Sequence, residues 1–205
     1  ENKKNKRFIY LISPNSIKNE KFYINLNQVL SSKKVSFFQL RLKRLGLKDK
    51  IRTAKKIKKI CKKHQVKFLI NDDPIIAKKV NADGCHLGQK DMNILNARKI
   101  LKNKIIGVTC HNSINLAKKA ISSGANYLAF GAFYSSKTKK TKYKASLKIL
   151  SLAKKLTNTP VVAIGGIKDT NYKKLLLNKA NFLAISSYIW NNKKYKPLTA
   201  TLKLK

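Results

Sequence analysis

Four of the eight acidic residues in this chain, Asp72, Asp73, Asp83 and Asp91, fall within twenty consecutive positions. The chain carries 47 Lys and Arg residues and a formal net charge of +39. Carboxylates crowded into one segment of so basic a chain suggest a hard cation. Mg2+ favours one or two carboxylates together with waters and substrate phosphate oxygens. Asp72 and Asp91 are the candidate ligands, since a strand-end Asn71-Asp72 pair is hard to explain by packing. Asp73, directly before Pro74, reads instead as a helix cap. Asp83, in Ala82-Asp83-Gly84, reads as a turn residue.

Other polar residues group by spacing. Gln39, Arg41 and Lys43 alternate along one apolar run, which places them on one side of a strand, on its inner face at a rim. The stretch Ser136-Lys137-Thr138-Lys139 offers hydroxyls and ammonium groups suited to phosphate oxygens, and equally reads as an ordinary charged loop of a lysine-rich chain. Gly165-Gly166, ahead of Ile167-Lys168-Asp169, lets backbone amides approach a phosphate, and the alternative is a plain tight turn into a helix. Ser186-Ser187 would complete a phosphate cradle. His64 reads as a helix-end residue, at the surface or as a C-terminal cap, His86 as a satisfied core residue, and His111 stays open as a site residue. No Ser-His-Asp or Cys-His grouping stands out. Three scattered cysteines, Cys61, Cys85 and Cys110, supply neither a disulfide framework nor zinc spacing.

These residues need elements to hold them. Eight β-rich apolar runs, at 7–13, 35–43, 67–72, 84–88, 105–111, 127–133, 160–166 and 182–189, alternate with polar helical stretches. Runs such as Val161-Val162-Ala163-Ile164 lack alternation, as parallel strands buried on both faces do. Helical spacing marks 49–64, 93–102, 113–123, 145–156 and 169–177, with starts at Asp73-Pro74 and Asp169. The expectation is an α/β chain folded as a single (β/α)8 TIM barrel over residues 1–205, with an open doubly wound sheet as the alternative. Chemistry then belongs at the C-terminal ends of the strands, where most of the residues above fall. Hydrophobic residues make up 43%, enough for a core, yet no run of about 18 apolar residues suggests a membrane span. Cysteine usage fits a reducing cytoplasm. The lysines are spread along the chain, often paired as in Lys55-Lys56 and Lys62-Lys63, which reads as solvated surface more than as a nucleic-acid site.

Several of these segments together resemble a known family. Gln39-Leu-Arg-Leu-Lys43, Ile70-Asn-Asp-Asp73, Ala82-Asp-Gly-Cys-His-Leu-Gly-Gln-Lys-Asp91, Gly107-Val-Thr-Cys-His111 and Pro160-Val-Val-Ala-Ile-Gly-Gly-Ile167 look like thiamine phosphate synthases and their thiazole tautomerase relatives. The likeness runs over residues 8–189, and the Ala-Asp-Gly-x-His-Leu-Gly-Gln-x-Asp string is its most specific part. The resemblance implies a transferase that joins an aminopyrimidine diphosphate to a thiazole phosphate with Mg2+. It implies that Gln39, Arg41, Lys43 and Asn71 bind the pyrimidine diphosphate, with Thr109 beside the pyrimidine. Asp72 and Asp91 would match the Mg2+ ligands, and Lys139 a lysine on the diphosphate. Ser136, Thr138, Gly166, Ser186 and Ser187 would match the thiazole phosphate site. Some positions depart from the family pattern: Ser135 stands for a commoner Pro, Ser136 for Thr, Leu42 for an acid, and Asn178-Lys179 for a Gly. Two other readings compete. A tautomerase on the same barrel would use His111 as a proton shuttle without Mg2+. A non-catalytic basic barrel that binds nucleic acid would need aromatics interleaved with Lys and Arg on one face, which the sequence lacks. The partners expected are the two phosphorylated small molecules, with no specific nucleic acid, no membrane, and homo-oligomerisation left open.

Overall fold

The computed structural model of the protein describes residues 7–135 and 143–205. Its strands are β1 (Ile9–Ile12), β2 (Val35–Leu40), β3 (Lys67–Asn71), β4 (Gly84–Leu87), β5 (Ile105–His111), β6 (Tyr127–Gly131), β7 (Val161–Ile164) and β8 (Phe182–Ile185). They pair in parallel and in sequence order, and β8 returns to β1 through Leu183 opposite Ile9 and Ile185 opposite Leu11. That closure excludes the open-sheet alternative and gives the barrel expected from the eight apolar runs. The helices that follow the strands are α1 (Lys21–Ser31), α2 (Leu47–Lys63), α3 (Pro74–Lys79), α4 (Ile94–Leu101), α5 (Ile114–Ser122), α6 (Lys148–Leu156), α7 (Tyr172–Leu177) and α8 (Ser187–Trp190), and α9 (Pro197–Leu202) then packs on α1 and α8.

The strand period of two divides the apolar residues between two cores. One side of each strand feeds the larger core between sheet and helices. There Leu11, Phe38, Phe68, Cys85, Leu128 and Leu183 meet helix residues such as Leu26, Ile57 and Ala97. The other side fills the barrel with Tyr10, Ile12, Leu69, Tyr127, Ala129, Val162 and Ala184, flanked by Phe37 and Phe182. This two-sided burial is why the strand sequences run apolar without alternation. Phe37 meets Phe182 edge-on at 5.0 Å and stacks with Tyr10 at 5.5 Å, so aromatic rings floor the barrel. Such pairs contribute about 0.5–1.5 kcal/mol each beyond their buried area. Gly107 makes room for this floor, since a Cβ there would lie 1.8 Å from the Tyr127 ring.

The helices follow their local sequence. α2 buries Ala54, Ile57 and Cys61 on one stripe and turns Lys55, Lys56, Lys59, Lys62 and Lys63 to solvent. Asp73 caps α3 by accepting from the Ile76 amide at 2.9 Å, with Pro74 at the first helical position. Asp83 accepts from the Phe68 amide at 2.8 Å, which fits its reading as a turn residue before β4.

Most element ends differ from the sequence reading by a residue or two, and three of the differences move named side chains. β2 ends at Leu40, so Arg41 and Lys43 lie in the loop beyond it, and only Gln39 points into the barrel. β8 ends at Ile185, because Ser187–Trp190 turns into α8, whose Trp190 donates its indole N–H to the Ile12 carbonyl at 2.7 Å. Asp169 does not start a helix. Asn171 flanks α7 instead, and its Oδ1 accepts from the Lys168 amide at 2.9 Å, closing a turn before the helix begins. Among the described residues no helix is long and apolar enough to cross a membrane.

Candidate active site at the C-terminal rim

At the ends of β2, β3 and β4 the chain gathers charge. Asp72 leaves β3 in a left-handed conformation, φ 66°, with its amide donating to the His86 carbonyl at 2.8 Å. This turns the chain out of the sheet just where the carboxylate is presented. Asp91 follows β4 in the Gly88-Gln89-Lys90-Asp91 turn, where the Gly88 amide donates to its Oδ2 at 2.6 Å. The two carboxyl groups line one cavity, close enough for their like charges to repel. Lys43, from the loop after β2, brings its ammonium 3.2 Å from Asp72.

Asp91 is held above the ordinary carboxylate range. Partial burial is the main cause, and the adjacent Asp72 adds repulsion. The Gly88 amide and Lys43 act in the opposite direction. Carboxylates that oppose one another in this way are relieved by a shared cation. Lys43, Asn71, Asp72 and Asp91 line one cavity of about 530 Å³, with Leu40, Leu42, Ile70 and Met92 among its apolar walls. Two hard oxygen donors beside a cavity of this size fit a Mg2+ ion that keeps waters and phosphate oxygens in its shell.

Beneath the rim, polar side chains cross the barrel in a line. The Gln39 Nε2 donates to the Tyr10 hydroxyl at 2.7 Å, and that hydroxyl lies 2.7 Å from the Tyr127 hydroxyl. The Tyr127 hydroxyl lies 2.8 Å from His86 Nδ1, and His86 Nε2 lies 2.8 Å from the Thr109 hydroxyl. Gln89 also donates to the Thr109 carbonyl. Burial pushes both tyrosine hydroxyls above their ordinary range, so both stay protonated.

The other candidates fall elsewhere on the rim. The Arg41 guanidinium donates to Asn15 Oδ1 at 3.2 Å, in the loop after β1. Gly166 adopts φ 58°, and a Cβ there would meet the Ser135 carbonyl oxygen at 2.3 Å, so only glycine lets the loop after β6 cross the end of β7. Ser186 donates to the Ser13 carbonyl at 3.1 Å, and Ser187 opens α8. Ser136, Thr138 and Lys139 lie outside the described residues. His111 stacks on Tyr143 at 4.0 Å, beside a second cavity of about 550 Å³ lined also by Gln89, Asn112 and Ser113. His64 bonds Asn27 at the end of α2, and burial pushes the Cys85 and Cys110 thiols up to about 12, far from thiolate chemistry. Sequence reasoning missed Tyr10 and Tyr127 altogether. The signal that could have found them is a tyrosine at the inward period of β1 and at the start of β6.

A sequence profile described as thiamine monophosphate synthase matches residues 9–189. The chain belongs to the thiamine monophosphate synthase family. Membership makes it an enzyme of the transferase class. The chain is 73% identical over 205 residues to the thiamine-phosphate synthase of Pelagibacter ubique, covering 100% of this chain and 99% of that one. It is 39% identical over 188 residues to the thiamine-phosphate synthase of Erythrobacter litoralis, covering 89% of this chain and 88% of that one. Among solved structures, thiamine phosphate pyrophosphorylase from Pyrococcus furiosus superposes with a TM-score of 0.86 at 27% identity, covering 98% of this chain and 94% of that one. The family profile thus spans every strand of the barrel and both rim aspartates.

Proposed function

We propose that the protein is a thiamine-phosphate synthase. It joins 4-amino-2-methyl-5-pyrimidinylmethyl diphosphate to a thiazole phosphate, releasing diphosphate. The observation that carries this reading is the single cavity lined by Lys43, Asp72 and Asp91, with the Lys43 ammonium 3.2 Å from Asp72. The similar proteins named above supply the reaction class.

The geometry supports a displacement. The bond from the pyrimidine methylene to the diphosphate oxygen breaks, and the thiazole nitrogen forms the new bond to that carbon. Negative charge builds on the departing diphosphate, and positive charge on the methylene. Mg2+ at Asp72 and Asp91 would supply positive charge for the diphosphate oxygens. Lys43 stands beside that pair and is the chain's own cation for the leaving group. In our reading Lys139 and Arg41 share this role, Arg41 after exchanging Asn15 for the diphosphate. Gln39, Asn71 and Thr109 bind the pyrimidine, and the aromatic floor keeps water from the methylene below. Ser136, Thr138, Gly166, Ser186 and Ser187 hold the thiazole phosphate across the rim. Neither half of the reaction requires a protein nucleophile, and holding two substrates in line supplies much of the remaining rate.

Incubating the protein with both phosphorylated precursors, with and without Mg2+, should yield thiamine phosphate and diphosphate only when the metal is present. Asp72→Ala should abolish the Mg2+-dependent coupling. Wild-type turnover in that variant would remove Asp72 from the metal role.

A further inference from the structure

The polar line under the rim has a direction. An amide Nε2 can only donate, so Gln39 makes the Tyr10 oxygen an acceptor. Tyr10 and Gln39 are both buried, so the single Tyr10 proton must go to its remaining neighbour, the Tyr127 oxygen at 2.7 Å. Tyr127 has then accepted once, and its own proton goes to His86 Nδ1 at 2.8 Å. A nitrogen that accepts carries no proton. The imidazole proton therefore sits on Nε2 and is donated to the Thr109 oxygen at 2.8 Å. An imidazolium would instead donate to Tyr127. The Tyr127 proton would then have no acceptor in a buried position among the described residues, an arrangement native proteins avoid.

Each bond settles the next, and the last oxygen in the line belongs to Thr109. Having accepted from His86, the Thr109 hydroxyl has its own proton left for a further partner. We propose that Gln39, Tyr10, Tyr127 and His86 form a one-way hydrogen-bond chain that locks His86 as the neutral Nε2–H tautomer and leaves the Thr109 hydroxyl proton to be donated to an acceptor atom of the ligand, a ring nitrogen of the aminopyrimidine. His86 is a positioning residue in this scheme, acting through Thr109. The identity of the ligand rests on the transferase reading; the tautomer does not.

The tautomer is read from the imidazole 15N–1H correlation spectrum of ligand-free, uniformly 15N-labelled protein, in which His86→Gln identifies the His86 signals by their loss. A protonated Nε2 and a bare Nδ1 are expected. A protonated Nδ1, or protons on both nitrogens, would overturn the chain's direction. The donor role is read by calorimetric titration with the aminopyrimidine diphosphate and with two analogues, each carrying C–H in place of one ring nitrogen. One analogue should bind wild-type protein about tenfold more weakly than the parent, and Thr109→Val should bind both equally. Equal losses for that analogue in both proteins would remove Thr109 as the donor. Failure of the transferase reading shows itself separately, as no coupled product from the two precursors.

Discussion

At the scale of single residues, Asp91 concentrates the electrostatics of the rim. Its carboxyl is raised by burial and by Asp72, so the folded protein holds this proton more tightly than the unfolded chain. Without divalent metal, stability therefore falls as pH rises through the interval between the ordinary carboxylate value and the raised one, and stays lower above it. Asp91→Asn should remove that decline and melt at a higher temperature than wild type at neutral pH in chelator. Adding Mg2+ should stabilise the wild type and leave the variant nearly unchanged, as thermal melts across pH would record. A lower melting temperature for Asp91→Asn in chelator would show that the bonds Asp91 makes outweigh its burial and its repulsion by Asp72. The cluster of acids was legible in the sequence because only eight acidic residues exist. The buried line from Gln39 to Thr109 was not, because Tyr10 and Tyr127 stand 117 positions apart and only barrel closure brings their hydroxyls together.

At the scale of elements, β-rich apolar runs marked all eight strands, several of them without alternation, because the strands are buried by side chains inside the barrel and by helices outside. Ends were harder to read. Tyr188 and Ile189 carry β-rich composition past β8, yet Ser187–Trp190 coils into α8, where Ile189 is buried and the Trp190 indole bonds the Ile12 carbonyl. Helix α1 went unread although Phe22, Leu26, Val29 and Leu30 fall on one stripe, because Asn25 and Asn27 beside it lower the helix propensity of the segment. Two substitutions test how the elements are held. Asp73→Ala should cost about 1 kcal/mol through loss of the α3 cap, measured by denaturant unfolding. Gly107→Ala should cost more, roughly 1–3 kcal/mol or above, because its methyl enters the space of the Tyr127 ring. A near-neutral Gly107→Ala would mean that the floor can shift aside.

At the scale of the whole molecule, the net charge of +39 is carried largely by lysines on outward faces such as that of α2. Like charges at this density repel, and salt screens them. The melting temperature should therefore rise between low ionic strength and roughly 0.3 M salt, where the Debye length is shorter than about 8 Å. A fall over that range would mean that surface ion pairs outweigh the repulsion. The bond from Trp190 to Ile12 adds a practical consequence. Trp190 is the sole tryptophan, and it is fastened to β1 from the helix that follows β8. Its fluorescence is thus a built-in optical gauge of the seam where the cylinder zips shut, and a red-shifted emission would report the seam parting before the rest of the wall comes undone.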